Sequence, residues 1–297
     1  MAELPRFLDP KVLATISGME LRAKAVVEGF LSGLHRSPFK GFSVEFAEFR
    51  QYTPGDDPRH IDWKVYARSD KFYVKEFEEE TNLSCHILFD ISKSMTYASD
   101  KVSKLDYAGY LAASLAYLLI RQRDSVGLAA FSDKIDTLIP PKSRLGHLHT
   151  LLTALDNTEF GPKTDIRKPL SQVAETLNKK GLLVLISDLL DEPDNILDAL
   201  QHFRFGGHDI LVFHVLDDNE LNFQFHHSTR FEGLEGEAHF TAQPQNVRDE
   251  YMKRLTEHIE KLKAGCGATG ITYELLNTSK PLDFALKSFL AKRAGKL

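Results

Sequence analysis

Asp90, Ser92 and Ser94 stand on alternate positions at the end of the apolar run "ILFD", where a buried strand should stop. A carboxylate and a row of hydroxyls at that place can do one of two things. They can cap the turn that follows, since Ser and Asp are the favoured capping residues. Or they can face a ligand, because ligands of open parallel sheets bind outside the carboxyl ends of the strands, where strand order reverses. Two further stretches offer matching chemistry. Ser187 and Asp188 end the continuous apolar run "GLLVLIS", and Thr164 lies in the loop "FGPKTDI" just ahead of a helix. If the strands ending at Asp90 and Asp188 are neighbours at the reversal, Asp90, Ser92, Ser94, Thr164 and Asp188 form an all-oxygen set. Oxygen ligands without thiolates suit a hard divalent cation, Mg²⁺ or Mn²⁺. Neutral hydroxyls add ligands without saturating the charge, so the cation could accept one more oxygen from a protein partner's carboxylate.

The elements that must position these residues are legible downstream of Leu83. "LSCHILFD", "SVGLAAFS", "KIDTLIP", "GLLVLISD", "HDILVFHVLD" and "GITYELLN" read as six strands, separated mostly by helical patterns such as "KLDYAGYLAASLAYLLIRQ" and "VRDEYMKRLTEHIEKLKAG". Strands alternating with helices imply a mainly parallel α/β sheet covered on both faces. The all-apolar runs fit strands buried on both sides. Residues 217–245 break the pattern, and "STRFEGLEGEAHFTA" reads as an inserted β-hairpin turning near Gly233 to Gly236. Upstream, "DPKVLATISGMELRAKAVVEGFLSG" has helical spacing with a break or bend near Gly18, and residues 36–82 alternate aromatic and polar residues around a Pro54-Gly55 turn. The division expected is therefore 1–80, a helical and β-rich extension, and 81–297, the α/β domain.

"DISKSM" matches the D-x-S-x-S element of von Willebrand factor A-type domains, whose metal-ion-dependent adhesion site adds a distant Thr and a distant Asp. The matching positions are Asp90, Ser92, Ser94, Thr164 and Asp188. The resemblance implies a Rossmann-like sheet of about six strands, with one antiparallel edge strand, here "KIDTLIP". It also implies metal contact by the hydroxyls and water-mediated contact by the carboxylates. Gly usually precedes the Thr in that pattern; here Lys163 does. The stretch from Arg50 to Trp63, "RQYTPGDDPRHIDW", closely resembles the signature of the bacterial DUF58 family, as do "SDLLD" and "PLDFALKSFLAKRAG". That resemblance implies a partner, a MoxR-type AAA+ ATPase, and a chaperone-like or complex-maturation role.

Other function classes find less support. The formal net charge of −5 gives no basis for general nucleic-acid binding. Two cysteines without a CxxC pair point to a reducing compartment. The N-terminus has no signal-peptide core, and no segment approaches the roughly 20 apolar residues of a membrane span. A cytoplasmic protein is expected. No P-loop or GxSxG is present, and His147 and His149 are spaced to opposite sides of a helix. A Mg²⁺-dependent hydrolase of the D-x-D type would need a general acid where Ser92 stands, and a hydroxyl cannot serve at neutral pH. The expectation is a metal-dependent binding module and not an enzyme, with a scaffold whose metal site has lapsed as the other alternative, resting on Lys163. Asp56, Asp57 and Asp62 beside Arg59 read as turn bonds and local salt bridges.

Overall fold

The computed structural model describes residues 19–35, 49–51, 66, 73–75, 83–158, 160–161, 166–177, 180–225, 229–231 and 240–294. The chain divides into two compact units, one of Met1–Gly33 with Leu83–Leu297 and one of Leu34–Asn82. In the smaller unit, β1 (Phe49–Gln51) pairs antiparallel with β2 (Tyr73–Lys75). Residues 36–48, the Pro54-Gly55 turn and most of the Arg50–Trp63 signature lie outside the described residues.

The larger unit is built on a six-stranded sheet. In chain order its elements are α1 (Met19–His35), β3 (Ser84–Asp90), α2 (Lys104–Arg121), β4 (Ser125–Phe131), β5 (Ile135–Lys142), α3 (Leu145–Asp156), α4 (Arg167–Thr176), β6 (Leu182–Ser187), α5 (Pro193–Phe205) and β7 (Asp209–Leu216). There follow α6 (Asp218–Asn222), β8 (Thr229–Phe231), β9 (Phe240–Ala242), α7 (Pro244–Ala268), β10 (Thr272–Asn277) and α8 (Asp283–Ala294). The strand order is β10-β7-β6-β3-β4-β5, parallel throughout except for β5, which runs antiparallel to β4. This is the α/β sheet expected from the sequence, with "KIDTLIP" as its antiparallel edge. The hairpin also forms, β8 against β9.

Burial explains the assignments. Every residue of β6 is buried, as the run "LLVLIS" requires of a strand covered on both faces. β5 alternates intermediate and exposed residues along its length, and its Pro140-Pro141 suits an edge, where a missing N–H disrupts little. On one face Leu88, Leu183, Leu185, Ile210 and Val212 pack with Ile166, Leu170 and Val173 of the α4 segment, Ile196, Leu200 and Phe203 of α5, and Leu262 and Cys266 of α7. The other face carries α2, which is buried along nearly its whole length. α1 belongs to this unit: the Met19 amide reaches Asp156 Oδ2 at the end of α3, and the Arg22 guanidinium lies 5.1 Å from the Tyr110 ring centre on α2.

The sheet reverses direction between β3 and β6. The chain runs outward from β3 through β4 to β5, then returns to place β6 on the other side of β3. The return path is pinned at Gly161, whose N–H bonds the Ile91 carbonyl at 2.8 Å and which bridges Ser92. A Cβ there would clash with the Oγ and Cβ of Ser132, and Ser132 is itself fully buried. Gly161→Ala is therefore expected to destabilise by about 1–3 kcal/mol. Gly146 on α3 has open space where a Cβ would go, so Gly146→Ala should stabilise by about 0.5–1 kcal/mol. Urea denaturation of the two variants checks both; equal effects would contradict the role given to Gly161.

Candidate metal centre

The sheet register carries β3 and β6 side by side to their ends, with Phe89 opposite Ile186. Asp90 and Ser187 come next, and Ser187 Oγ donates to Asp90 Oδ2. The Ser92 amide donates to Asp90 Oδ1 at 2.8 Å. The turn-capping role weighed for Asp90 is thus real, and it uses one oxygen. The serine hydroxyls do something else. Ser92 occupies the cap position of the 3-10 turn Lys93–Thr96 yet makes no side-chain capping bond; its Oγ meets Ser94 Oγ at 3.0 Å. Thr96, the third alternate hydroxyl, turns back to the Lys93 carbonyl. Asp90, Ser92 and Asp188 are completely buried and Ser94 nearly so.

Asp90, Ser92, Ser94 and Asp188 therefore come together at the switch point. Thr164 and Lys163 lie outside the described residues; Gly161, three residues ahead of Thr164, is held against Ser92. Burial, and then the charge of Asp188, push the Asp90 carboxyl up to about 7, against the opposing hydrogen bonds from Ser187 and Ser92. The crevice holds more negative charge than its own donors satisfy.

Three residues that the sequence reading passed over complete the arrangement. Lys104, at the first position of α2, is fully buried, and its Nζ lies 2.8 Å from Asp188 Oδ2 and 2.7 Å from Glu220 Oε1 on α6. Burial lowers the affinity of that amine for its proton, but the two carboxylates more than reverse this, and Lys104 is held as ammonium above its ordinary range. A signal existed for it. A cation in the first turn opposes the helix dipole, so a lysine directly after the Ser103 cap needs a partner off the helix. Glu220 had a signal as well: Asp217 and Glu220 form a reciprocal capping box at the start of α6. The third residue is His258 on α7, whose Nε2 donates to the Leu189 carbonyl at 3.0 Å. Leu189 has φ +49°, a left-handed conformation costly for a non-glycine residue, and its amide is held by Ser187 Oγ at 2.9 Å. The strain sits on the residue directly after Asp188 and fixes how the carboxylate is presented.

Do these residues fit a hard cation? Asp188 Oδ2 is taken by Lys104, while Oδ1 is buried and has no hydrogen-bond partner among the described residues. A buried carboxylate oxygen without a partner is costly, and a cation beside Asp90 would satisfy it. Among the described residues no group of three or more His, Cys, Asp or Glu side chains could hold a metal, so any site here rests on hydroxyls as well as carboxylates. The ammonium bonds Asp188 and Glu220, whereas Asp90 is held by Ser92 and Ser187. The donor set fits Mg²⁺ or Mn²⁺. His147 and His149 lie apart from it: His147 is buried with Nε2 2.8 Å from the Val126 carbonyl, and His149 is exposed.

The strand order, the antiparallel edge strand and the strand-end serines define a von Willebrand factor A-type fold. The chain belongs to a family known as "Protein of unknown function DUF58", whose model matches residues 48–261. It is 26% identical over 268 residues to the uncharacterised protein Rv1480 of Mycobacterium tuberculosis (strain ATCC 25618 / H37Rv), covering 88% of this chain and 84% of that one. Among solved structures it resembles the conserved hypothetical protein BatB from Bacteroides thetaiotaomicron, at 16% identity and a TM-score of 0.50, over 72% of this chain and 99% of that one. The SpRpn10 VWA domain is also similar, at 11% identity and a TM-score of 0.42, over 68% of this chain and 92% of that one. Among the described residues no helix is long and apolar enough to cross a membrane.

Two predictions follow from the charges. Lys104→Ala leaves Asp188 buried without its counter-ion and should cost about 3–5 kcal/mol; adding Asp188→Asn should recover much of that loss in chemical denaturation. For Asp90, a folded-state value near 7 against an unfolded 3.8 means that the folded protein binds the proton more tightly. Without added cation, stability should therefore fall as pH rises from about 4 to 7, by roughly 2–4 kcal/mol. Asp90→Asn should remove that slope, read as the difference between wild type and variant. A slope of the opposite sign would contradict the burial argument.

Proposed function

We propose that the chain is a metal-ion-dependent protein-binding module, with a hard dication at the β3–β6 switch point and a protein partner completing the site. The observation that carries this is the pairing of a buried Asp188 Oδ1 that has no hydrogen-bond partner among the described residues with an Asp90 whose carboxyl is pushed up to about 7, beside two serine hydroxyls 3.0 Å apart. Asp90, Ser92, Ser94 and Asp188, with Thr164, would hold the ion. Bound there, Mg²⁺ or Mn²⁺ would supply an electrophilic position for one further oxygen, such as a partner's carboxylate. The chain's own part is to orient the carboxylates through Ser187, Lys104 and the strained Leu189, and to exclude water by burial. Exposed apolar side chains adjoin these loops in sequence, Phe160 beside Gly161 and Leu190 beside Leu189, and suit contact with a protein surface. The DUF58 resemblance points to a MoxR-type AAA+ ATPase as that partner, in a chaperone-like or complex-maturation role in the cytoplasm.

A second reading has one specific observation behind it. The Lys104 ammonium already satisfies one oxygen of Asp188, as it would in a scaffold that no longer takes a metal. Calorimetric titration of Mg²⁺ and Mn²⁺ separates the two. Saturable binding that disappears in Asp90→Ala is expected; absence of binding in both proteins would overturn the proposal in favour of the scaffold. Turnover of phosphate esters abolished by the same substitution would favour a hydrolase instead.

A further inference from the structure

The 217–243 segment that interrupts the strand–helix alternation is fastened to the switch point at its base. Asp217 Oδ2 accepts the Ser99 amide, from the loop between β3 and α2, at 3.1 Å. Glu220 Oε1 accepts Lys104 Nζ at 2.7 Å while Glu220 Oε2 accepts the Asp217 amide at 2.8 Å. The Tyr251 hydroxyl, from α7, donates to the Glu220 carbonyl at 3.0 Å. Lys104 is the only residue of this set that also bonds a member of the proposed metal site, Asp188. One ammonium is thus divided between a carboxylate of the site and a carboxylate of the insertion, with the Tyr97 ring centre 5.9 Å away.

We infer that Lys104 is an internal counter-cation shared between the metal site and the insertion, so that cation binding at Asp90 and Asp188 is coupled to how firmly α6 is held. This rests on the reading of the strand ends as a cation site. The physical step is competition. A dication drawing on Asp188 weakens that residue's hold on the ammonium, and the ammonium's remaining attraction falls on Glu220. Cation binding then tightens the base of the insertion. Coupling of this kind is reciprocal: whatever draws Glu220 away from Lys104 leaves the full ammonium charge on Asp188 and weakens the cation. A partner that grips the hairpin of β8 and β9 would in this way act on the metal site without touching it.

The sign of the effect distinguishes this role from support alone. If Lys104 only braces Asp188, Lys104→Met loosens the carboxylate and weakens Mg²⁺. If it competes with the cation, Lys104→Met tightens Mg²⁺ by about tenfold, and Glu220→Gln weakens it by about tenfold. The double variant Lys104→Met/Glu220→Gln should bind like Lys104→Met, because Glu220 acts through the ammonium. The experiment is Mg²⁺ calorimetry on the four full-length proteins, each checked for a native thermal transition, with hydrogen exchange of the α6 amides measured with and without Mg²⁺. Slower α6 exchange on adding Mg²⁺ is expected in wild type and not in Lys104→Met. Weaker binding in Lys104→Met, or a Glu220→Gln effect that persists in the double variant, would overturn the inference. Binding by Lys104→Met alone, with none in wild type, would support the competition while defeating the proposed function of the native chain. Absence of binding in all four would defeat both.

Discussion

Two carboxylates at the ends of adjacent parallel strands, both out of water, form the constraint around which this structure is arranged. The strand order brings β3 and β6 together, and the reversal there opens a crevice instead of covering the strand ends with a direct crossover. Asp90 and Asp188 cannot both stay ionised in such a place without compensation. The fold answers with a graded set of donors. Ser187 and the Ser92 amide hold Asp90, the Lys104 ammonium holds one oxygen of Asp188, and the other oxygen has no hydrogen-bond partner among the described residues. Among the described residues, the compensation is incomplete at Asp188 Oδ1.

The backbone around the crevice shows the same economy. Leu189 takes a left-handed conformation that its side chain disfavours, while that side chain is itself buried. Ser187 Oγ serves twice, donating to Asp90 and accepting from the Leu189 amide. His258 reaches across from α7 to the Leu189 carbonyl. Burial lowers the proton affinity of that imidazole, and its Nε2–H is the donor to the carbonyl. Beneath it, burial pushes His214 down to about 3, and its Nδ1 shares a 2.6 Å hydrogen bond with the Tyr273 hydroxyl. Strain beside Asp188 is thus held by elements far along the chain, as expected where local geometry serves a site and not the local sequence.

This division explains what could be read from the residues alone. The sheet was legible because burial on both faces writes a continuous apolar run, as in β6, and partial burial of one face writes alternation, as in β5. The strand-end position of Asp90, Ser92, Ser94 and Asp188 was legible because side chains at strand ends follow from the strand itself. Lys104 and Glu220 were not found: Glu220 already has a local explanation in its capping box, and Lys104 sits inside the Ser103–Asp106 box, which hides it among ordinary helix-start residues. Their second role depends on which helix starts meet in space, and periodicity does not encode that. Leu189 gave no signal either: leucine is among the last residues a left-handed position would suggest. Thr164 and residues 52–63 of the Arg50–Trp63 signature lie outside the described residues.

The balance of charge makes the hydroxyl-rich composition intelligible. With both strand-end carboxylates and Glu220 ionised, three negative charges face one ammonium, and the deficit is two. A site built with more carboxylates would bind a dication more strongly but would be harder to bury without one. Neutral serines provide oxygen ligands at no such electrostatic cost. In the absence of a cation, the proton that Asp90 retains up to about pH 7 relieves part of the deficit. On the proposed reading, proton and dication would be alternative occupants of one negatively charged site. The lysine offsets part of that charge, because its ammonium bonds both Asp188 and Glu220.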